Sequence, residues 1–309
     1  MLSTTTFSVV IATYNRPHLV VRAIESVLGQ DCPVEAVVVD DASQDDRAAS
    51  VCATRPAVRY LRRELNAGPG AARMDGIRVA SGEWVVILDD DDELLPGALQ
   101  NMAVRLASGA GSGNAPAVFF RSTNALPLDR DFTVVSAEDL IAGRVTGDFV
   151  PVIHKRRFLD AGLEYPRLKI GAEGLLWLGA AERFGIPVWN VETVQVHRDA
   201  SHRLTSIRNQ MHRAAEYAEL QDIYIQRFGE AMGRLAPRAL RTRLMGAATY
   251  WLLAGDTGRA RQRLRQLAAA TEWPALAAAV AMFGLTFMPR AICRQLFLLF
   301  RAFGKASRA

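Results

Sequence analysis

Residues 84 to 95 read WVVILDDDDELL. The apolar run is of strand length, rich in β-branched residues and without alternation, which suits the centre of a sheet covered on both faces. Its end is therefore a rigid place, and there the chain sets five carboxylates in a row, Asp89, Asp90, Asp91, Asp92 and Glu93. Two carboxylates about 4 Å apart repel by roughly 1 kcal/mol in bulk water and about 4 kcal/mol near a protein surface. Such a cluster needs cations or divergent side chains, and a hard divalent metal, which takes oxygen ligands, is the natural partner. The competing reading is a solvated acidic turn capping a helix that begins near Pro96, since Asp near a helix N-terminus is stabilising in its own right.

Outward from this stretch, the first hundred residues alternate strand and helix signals, the pattern of a parallel α/β sheet. Phe7 to Ile11 predicts a strand, and Leu19, Val20, Ala23, Ile24, Val27 and Leu28 recur at helical spacing after Pro17. A second strand spans Val34 to Val39 and runs into Asp40 and Asp41, and a weaker third spans Val58 to Leu61. NAGPG, residues 66–70, reads as a glycine-rich loop entering a helix that ends at Ser81 and Gly82. After the helix of PGALQNMAVRLA, residues 108–116 (SGAGSGNAP) form a surface break, and Ala117 to Phe120 begins a further strand. Between Asp148 and Trp189 lie a strand-like VPVIH and an apolar helix, GAEGLLWLGAAERFG. From Ser206 onward the pattern is mostly helical, without a fixed-period repeat. The expected organisation is a catalytic domain over 1–206, with halves 1–107 and 117–206, and a helical region over 207–309.

With 309 residues, half of them hydrophobic, the chain can bury a sizeable core and disorder is excluded. Cys32, Cys52 and Cys293 are scattered without a CxxC pair, which argues against a zinc site or disulfide framework and for a reducing compartment. The N-terminus lacks the basic segment of a secretory signal. Charge is uneven: from Thr257 onward nine Lys or Arg face the single acid Glu272, so the mildly acidic front is followed by a basic tail. A nucleic-acid groove over the whole protein is not indicated, whereas an anionic membrane surface suits the tail. WPALAAAVAMFGLTFM, residues 273–288, is shorter than the roughly 20 residues of a bilayer span. After Pro289, Ile292, Leu296, Leu299, Phe300 and Phe303 share one helical face while Arg294, Arg301 and Lys305 lie elsewhere, which suits either a helix lying in an interface or one packed on a core.

In open α/β sheets ligands bind outside the carboxyl ends of the strands. Three such ends carry polar groups here: Thr13, Tyr14 and Asn15, then Asp40 and Asp41, then Asp89 to Asp92, with Arg73 on the loop-helix element between the last two. An aromatic face for a base, a carboxylate for a base N–H, an arginine and a metal-binding carboxylate together describe a nucleoside-diphosphate site.

Through FSVVIATYNRP, VVVDDASQDD, NAGPGAARMDGI, GEWVVILDDDDELLP and, more loosely, GAEGLLWL, the chain from about Phe7 to Ser206 resembles the family 2 glycosyltransferases. The resemblance implies the GT-A fold, a Rossmann-like, mostly parallel sheet flanked by helices, and inverting transfer from a nucleotide-sugar, UDP-linked by family analogy, assisted by Mg²⁺ or Mn²⁺. Taken with the reducing compartment and the basic tail, the expected protein is a cytoplasmic enzyme, peripheral on the inner face of the membrane, that glycosylates a hydroxyl of a glycan or lipid-linked acceptor in polysaccharide assembly. Carried over, Ala12, Tyr14, Asp41, Arg73, Asp89 and Asp90 belong to the nucleotide site, with Tyr14 stacking on the base and Asp41 on its polar edge. Asp91 becomes the direct metal ligand, and Asp89 and Asp90 serve ribose or metal-bound water. Aligned on LWL, Glu173 takes the place of the catalytic base and Ala172 that of the preceding acid, so the acceptor side departs from the family pattern. Met74 stands where asparagine is frequent, and Ala200 falls near a usual histidine that His197 or His202 could replace. The rival readings are a non-catalytic nucleotide-sugar-binding or membrane-assembly module and a sugar-1-phosphate nucleotidyltransferase. The latter would need a glycine-rich basic loop after the first strand, where ATYNRPHLVV has no glycine.

Overall fold

In the computed structural model, which describes residues 6–109, 113–197, 199, 206–270 and 275–306, the chain divides into two compact units, Met1–Ser201 and His202–Ala309. The first unit opens with β1 (Phe7–Thr13), α1 (Pro17–Leu28), β2 (Val34–Asp40), α2 (Arg47–Ala53), β3 (Val58–Arg62), α3 (Pro69–Val79) and β4 (Trp84–Asp89). It continues with β5 (Glu93–Leu94), α4 (Ala98–Ala107), β6 (Ala117–Ser122), β7 (Phe132–Val135), α5 (Ala137–Ile141), β8 (Phe149–His154), α6 (Lys155–Asp160), α7 (Glu173–Phe184) and β9 (Ile186–Gln195).

These strands form one sheet in the order β3-β2-β1-β4-β8-β6-β9-β5, with β7 paired to β9. β3, β2, β1 and β4 are parallel, so Thr13, Asp40 and Asp89 emerge from the same edge. β8 runs antiparallel between β4 and β6, and β6 pairs parallel with β9. This is the α/β sheet flanked by helices that the sequence predicts, with its antiparallel strands in the second half.

The unbroken apolar strands are explained by the two faces they serve. Val9, Ile11, Val38, Val86 and Leu88 pack under Val20, Ile24 and Val27 of α1 and Leu99 and Met102 of α4. The alternate residues Val10, Val37, Val39, Val85 and Ile87 pack with Ala72 and Ile77 of α3 and Leu176 and Trp177 of α7. Each such side chain contributes about 1.5–3 kcal/mol on full burial, so register and the position of the strand ends are strongly fixed.

At the end of the acidic run the structure adds a strand that the sequence reading did not assign: Glu93 and Leu94 form β5, antiparallel to Gln195 and Val194 of β9. Leu94, only 4% exposed, anchors this short strand in the core. Two residues offer no periodicity by which a sequence could betray a strand.

The second unit holds α8 (Ile207–His212), α9 (Ala214–Leu235), α10 (Pro237–Ala254), α11 (Thr257–Ala269), α12 (Ala275–Leu285) and α13 (Arg290–Ala306). From α9 to α12 each helix packs on the next, and α13 returns to α10. Trp251, Leu252, Ala260 and Cys293 share one small core, and Leu244, Leu264, Leu267 and Ala279 another. Among the described residues no helix is long and apolar enough to cross a membrane.

Candidate active site

The end of β4 is a tight acidic turn in which the Asp92 amide donates to the Asp89 carbonyl at 3.2 Å. Asp89, Asp91 and Asp92 each bring a carboxylate oxygen to within 4.8 Å of the others. Asp90 does not join them. Buried, it accepts from Thr13 Oγ1 at 2.7 Å and from Arg16 Nη1 at 2.9 Å, so both its oxygens are spent on tying the β4 turn to the end of β1. Burial pushes the Asp90 carboxyl up to about 6 despite Arg16 and Thr13. Asp92 rises to about 7, first through burial and then through the charges of Asp89, Asp91 and Asp148, against the amide of His197 that donates to it at 3.0 Å. Three hard oxygen donors of like charge crowded together, with Asp92 held above its ordinary pKa, are a set that a divalent cation would satisfy.

Beside this turn, the loops after β1 and β2 are laced together. Asn15, in the left-handed region at φ 55°, receives the Gln44 amide on its side chain and gives its own amide to Ser43 Oγ, each at 2.8 Å. The preceding Tyr14 is left 42% exposed at the strand edge, and Ala12 stands in register between Val39 and Asp89. Asp40 accepts from the Ser43 amide and the Tyr60 hydroxyl. Asp41 is buried and gathers Arg63 and the amides of Ala67 and Gly68, at 2.7, 3.1 and 2.7 Å. Its carboxylate thus shapes the glycine-rich loop.

That loop needs its glycines because residues 165–169 pass directly over it. A Cβ on Gly68, at φ 93°, would meet the Leu168 carbonyl oxygen at 2.5 Å, and one on Gly70 would meet that of Pro166 at 2.6 Å. The close approach brings the start of α7 to α3, where Arg73 joins both sides of the site. Its Nη2 donates to Asp89 at 2.6 Å, its Nη1 lies 3.8 Å from Glu173 Oε2, and the guanidinium stands over the Tyr165 ring. Burial alone would lower the Arg73 pKa, but Asp89 and Glu173 hold it above its ordinary value. Its Nε is buried without a hydrogen-bond partner among the described residues. Glu173 opens α7 with its side chain 48% exposed, behind an Ala172 that supplies no side-chain cap.

The structure therefore gathers Asp89, Asp91, Arg73 and Glu173, and places Tyr14 and Ala12 on the neighbouring strand end. Asp90 and Asp41 are turned into the protein. Asp92, to which the sequence reading gave no ligand role, stands inside the carboxylate cluster. Arg16 and Arg22 did not emerge from the sequence. Arg16 is 3.5 Å from Asp91, and Arg22 is 3.4 Å from Glu93. For Arg22 the available signal was its four-residue spacing from Ser26 on α1 and from there to Gln30 just past its end. His197 Nε2 lies 2.8 Å from Glu93 Oε1; Ala200 and His202 lie outside the described residues.

With this geometry in hand, comparison with known proteins gives a consistent result. Residues 8–134 match the sequence model described as glycosyl transferase family 2. The succinoglycan biosynthesis protein ExoO of Rhizobium meliloti is 47% identical over 105 residues, 33% of this chain and 30% of that protein. The GalNAc(5)-diNAcBac-PP-undecaprenol beta-1,3-glucosyltransferase of Campylobacter jejuni is 30% identical over 184 residues, 55% of this chain and 58% of that one. The chain thus spans 30% and 58% of the length of these two relatives. The crystal structure of S. aureus TarS 1-349 in complex with UDP-GlcNAc shares the fold, with a TM-score of 0.57 at 18% identity over 86% of this chain and 91% of that one.

Proposed function

We propose, from the match of residues 8–134 to the model of glycosyl transferase family 2, that the chain is such an enzyme and moves a sugar with inversion from a UDP-sugar to a hydroxyl of a glycan or lipid-linked acceptor during polysaccharide assembly. The observation that carries this reading is Arg73: one guanidinium reaches Asp89 of the acidic turn at 2.6 Å and Glu173 of α7 at 3.8 Å, so a cation-binding turn and a carboxylate able to take a proton face one space. Tyr14, exposed beside Asp41 and the end of β1, supplies a face for the uracil ring.

In this scheme the acceptor oxygen forms a bond to the anomeric carbon while its proton passes to a Glu173 carboxylate oxygen, and the bond from that carbon to the diphosphate breaks with its electron pair leaving on the nucleotide. Asp91, with Asp89 and Asp92, would hold Mg²⁺ or Mn²⁺, which supplies Lewis-acid stabilisation of the departing diphosphate. Arg73 adds fixed positive charge, and its unpartnered Nε is a donor for a diphosphate oxygen. Asp90 and Asp41 act at one remove, by setting the loops that carry these groups. Glu in place of Asp at 173 and Ala at 172 leave the base with longer reach and no neighbouring acid, which alters the acceptor's seat and not the donor's.

The proposal extends to a peripheral position on the cytoplasmic face of a membrane. It is supported by an acid-free stretch from 273 to 309 carrying Arg290, Arg294, Arg301, Lys305 and Arg308, and by exposed Phe287, Met288, Ile292, Leu296 and Leu299. The test of the reaction is turnover of UDP-glucose, UDP-galactose and UDP-GlcNAc with and without Mn²⁺, alongside Asp91→Asn, with product configuration read by NMR. Mn²⁺-dependent release of UDP and an inverted product are expected, with turnover at least tenfold lower in Asp91→Asn; wild-type turnover in that variant or a retained configuration would overturn the scheme.

A further inference from the structure

The acidic turn is held by a row of polar side chains that the reaction itself does not use. Arg22 and Ser26, one turn apart on α1, and Gln30, just past its end, all grip the main chain of residues 91–99. Arg22 Nη2 donates to the Asp91 carbonyl at 2.5 Å, Ser26 Oγ accepts the Leu94 amide at 3.0 Å, and Gln30 donates to the Leu95 carbonyl at 3.0 Å while accepting the Leu99 amide at 3.2 Å. Ser26 and Gln30 thereby fasten β5 and the first turn of α4. Arg22 has further bonds: its Nε lies 3.4 Å from Glu93 Oε1, and its Nη1 and Nη2 reach the Asp199 carboxylate at 2.9 and 3.2 Å.

We propose that Arg22 is a positioning residue for the divalent-cation site, fixing the Asp91 main chain and tying Asp199 to the acidic turn. This inference rests on the cation reading given above. The peptide between Asp91 and Asp92 decides where both side chains point. Arg22 holds its carbonyl, and the His197 amide holds the Asp92 carboxylate at 3.0 Å. His197 is seated in turn by Glu93, which Arg22 also touches, and Asp199, two residues on, closes the circuit back to Arg22. Released from this clamp, three like-charged carboxylates within 4.8 Å of one another would move apart, and the spacing a cation needs would be lost. A lysine at 22 cannot replace the clamp, because one ammonium lacks the planar fork that reaches a carbonyl and two carboxylates together.

The experiment uses the full chain and reads bound Mn²⁺ directly by electron paramagnetic resonance, with and without UDP, beside a thermal melt of each variant. Arg22→Met and Arg22→Lys are expected to weaken Mn²⁺ binding by about tenfold, the scale of groups that orient metal ligands. Gln30→Ala, which cuts the contacts to Leu95 and Leu99, is expected to lower the melting temperature and leave Mn²⁺ affinity within about twofold, because its partners lie beyond the carboxylates. If the Arg22 variants fail to fold, Asp199→Asn on the exposed side of the clamp provides the reading, with Mn²⁺ binding about threefold weaker. Wild-type Mn²⁺ affinity in Arg22→Met, or an equal loss in Gln30→Ala, would overturn the proposal and leave the row a structural fastening. Failure of the wild-type chain to bind Mn²⁺, with or without UDP, would instead overturn the cation reading and this inference with it.

Discussion

In the proposed reaction Arg73, which reaches both Asp89 and Glu173, joins the donor and acceptor sides, and its shape matters as much as its charge. A lysine there has one ammonium to offer to Asp89 or to Glu173, and no second donor for a ligand oxygen. Arg73→Lys is therefore expected to reduce kcat by about 10²-fold, the scale of losing one stabilising donor, with a smaller effect on KM, measured in steady-state turnover of the UDP-sugar. A second residue-scale expectation concerns Ala42, held at φ 62° between Asp41 and Ser43. The left-handed conformation costs an L-residue about 1–2 kcal/mol, and glycine returns about 0.4–1 kcal/mol of that through its freer unfolded chain. Ala42→Gly is expected to raise the unfolding free energy by about 0.5 kcal/mol in a urea titration. The chemical types at these positions were legible in the sequence. Which carboxylates face the cleft was not, because four consecutive aspartates carry no mark of which one a neighbouring Thr13 and Arg16 will claim.

At the scale of elements, the site is made by strand ends and helix starts meeting over a loop. β1, β2 and β4 were readable from their apolar runs, and α7 from GAEGLLWLGAAERFG, because each buries a face large enough to impose a period. β5 and the tie from β9 to the acidic turn were not, since a two-residue strand is a tertiary contact and leaves no local pattern. The glycines at 68 and 70 were read as part of a loop entering a helix. Their Cβ positions are excluded by residues 166–169, so they also make room for the chain that delivers Glu173. The buried acids of this turn govern the pH response of the cation-free protein. Asp90 at about 6 and Asp92 at about 7 both lie above the ordinary 3.8, so the folded state binds their protons more readily than the unfolded chain. Their contribution to stability is fully present below about pH 4 and is lost as pH rises through 6 and 7. With EDTA present, the melting temperature is expected to fall between pH 5 and pH 8, and saturating Mn²⁺ is expected to flatten that slope by replacing the protons on the Asp92 cluster. A melting temperature that rises over that range would show that these carboxylates are not destabilised when charged.

At the scale of the whole molecule, the two compact units differ in what they leave on their surfaces. The first buries its apolar strands on both faces. In the second, α13 seats Cys293 in the core but exposes Ile292, Leu296 and Leu299. The sequence showed the amphipathic pattern after Pro289 and left open whether it faced a core or an interface; the structure leaves Ile292, Leu296 and Leu299 of that face exposed. It also spends two of the cations: Arg290 donates to the Leu253 carbonyl at 2.7 Å and Arg294 to that of Met211 at 3.4 Å. The proposed membrane attachment would therefore draw on the exposed apolar row and the remaining positive charge. In flotation with anionic liposomes the full chain is expected to rise with the lipid and Leu296→Asp/Leu299→Asp to stay below; equal partitioning of the two would remove the membrane proposal.

The central claim is that one cleft holds the nucleotide-sugar through the acidic turn and activates the acceptor through Glu173. The most direct measurement is the rate of UDP-sugar turnover by Glu173→Gln together with the affinity of the same variant for UDP in Mn²⁺. Loss of a base that acts in the transition state should lower kcat by about 10²–10⁴-fold while UDP affinity stays within about twofold of wild type. A Glu173→Gln enzyme that turns over at the wild-type rate would contradict the account.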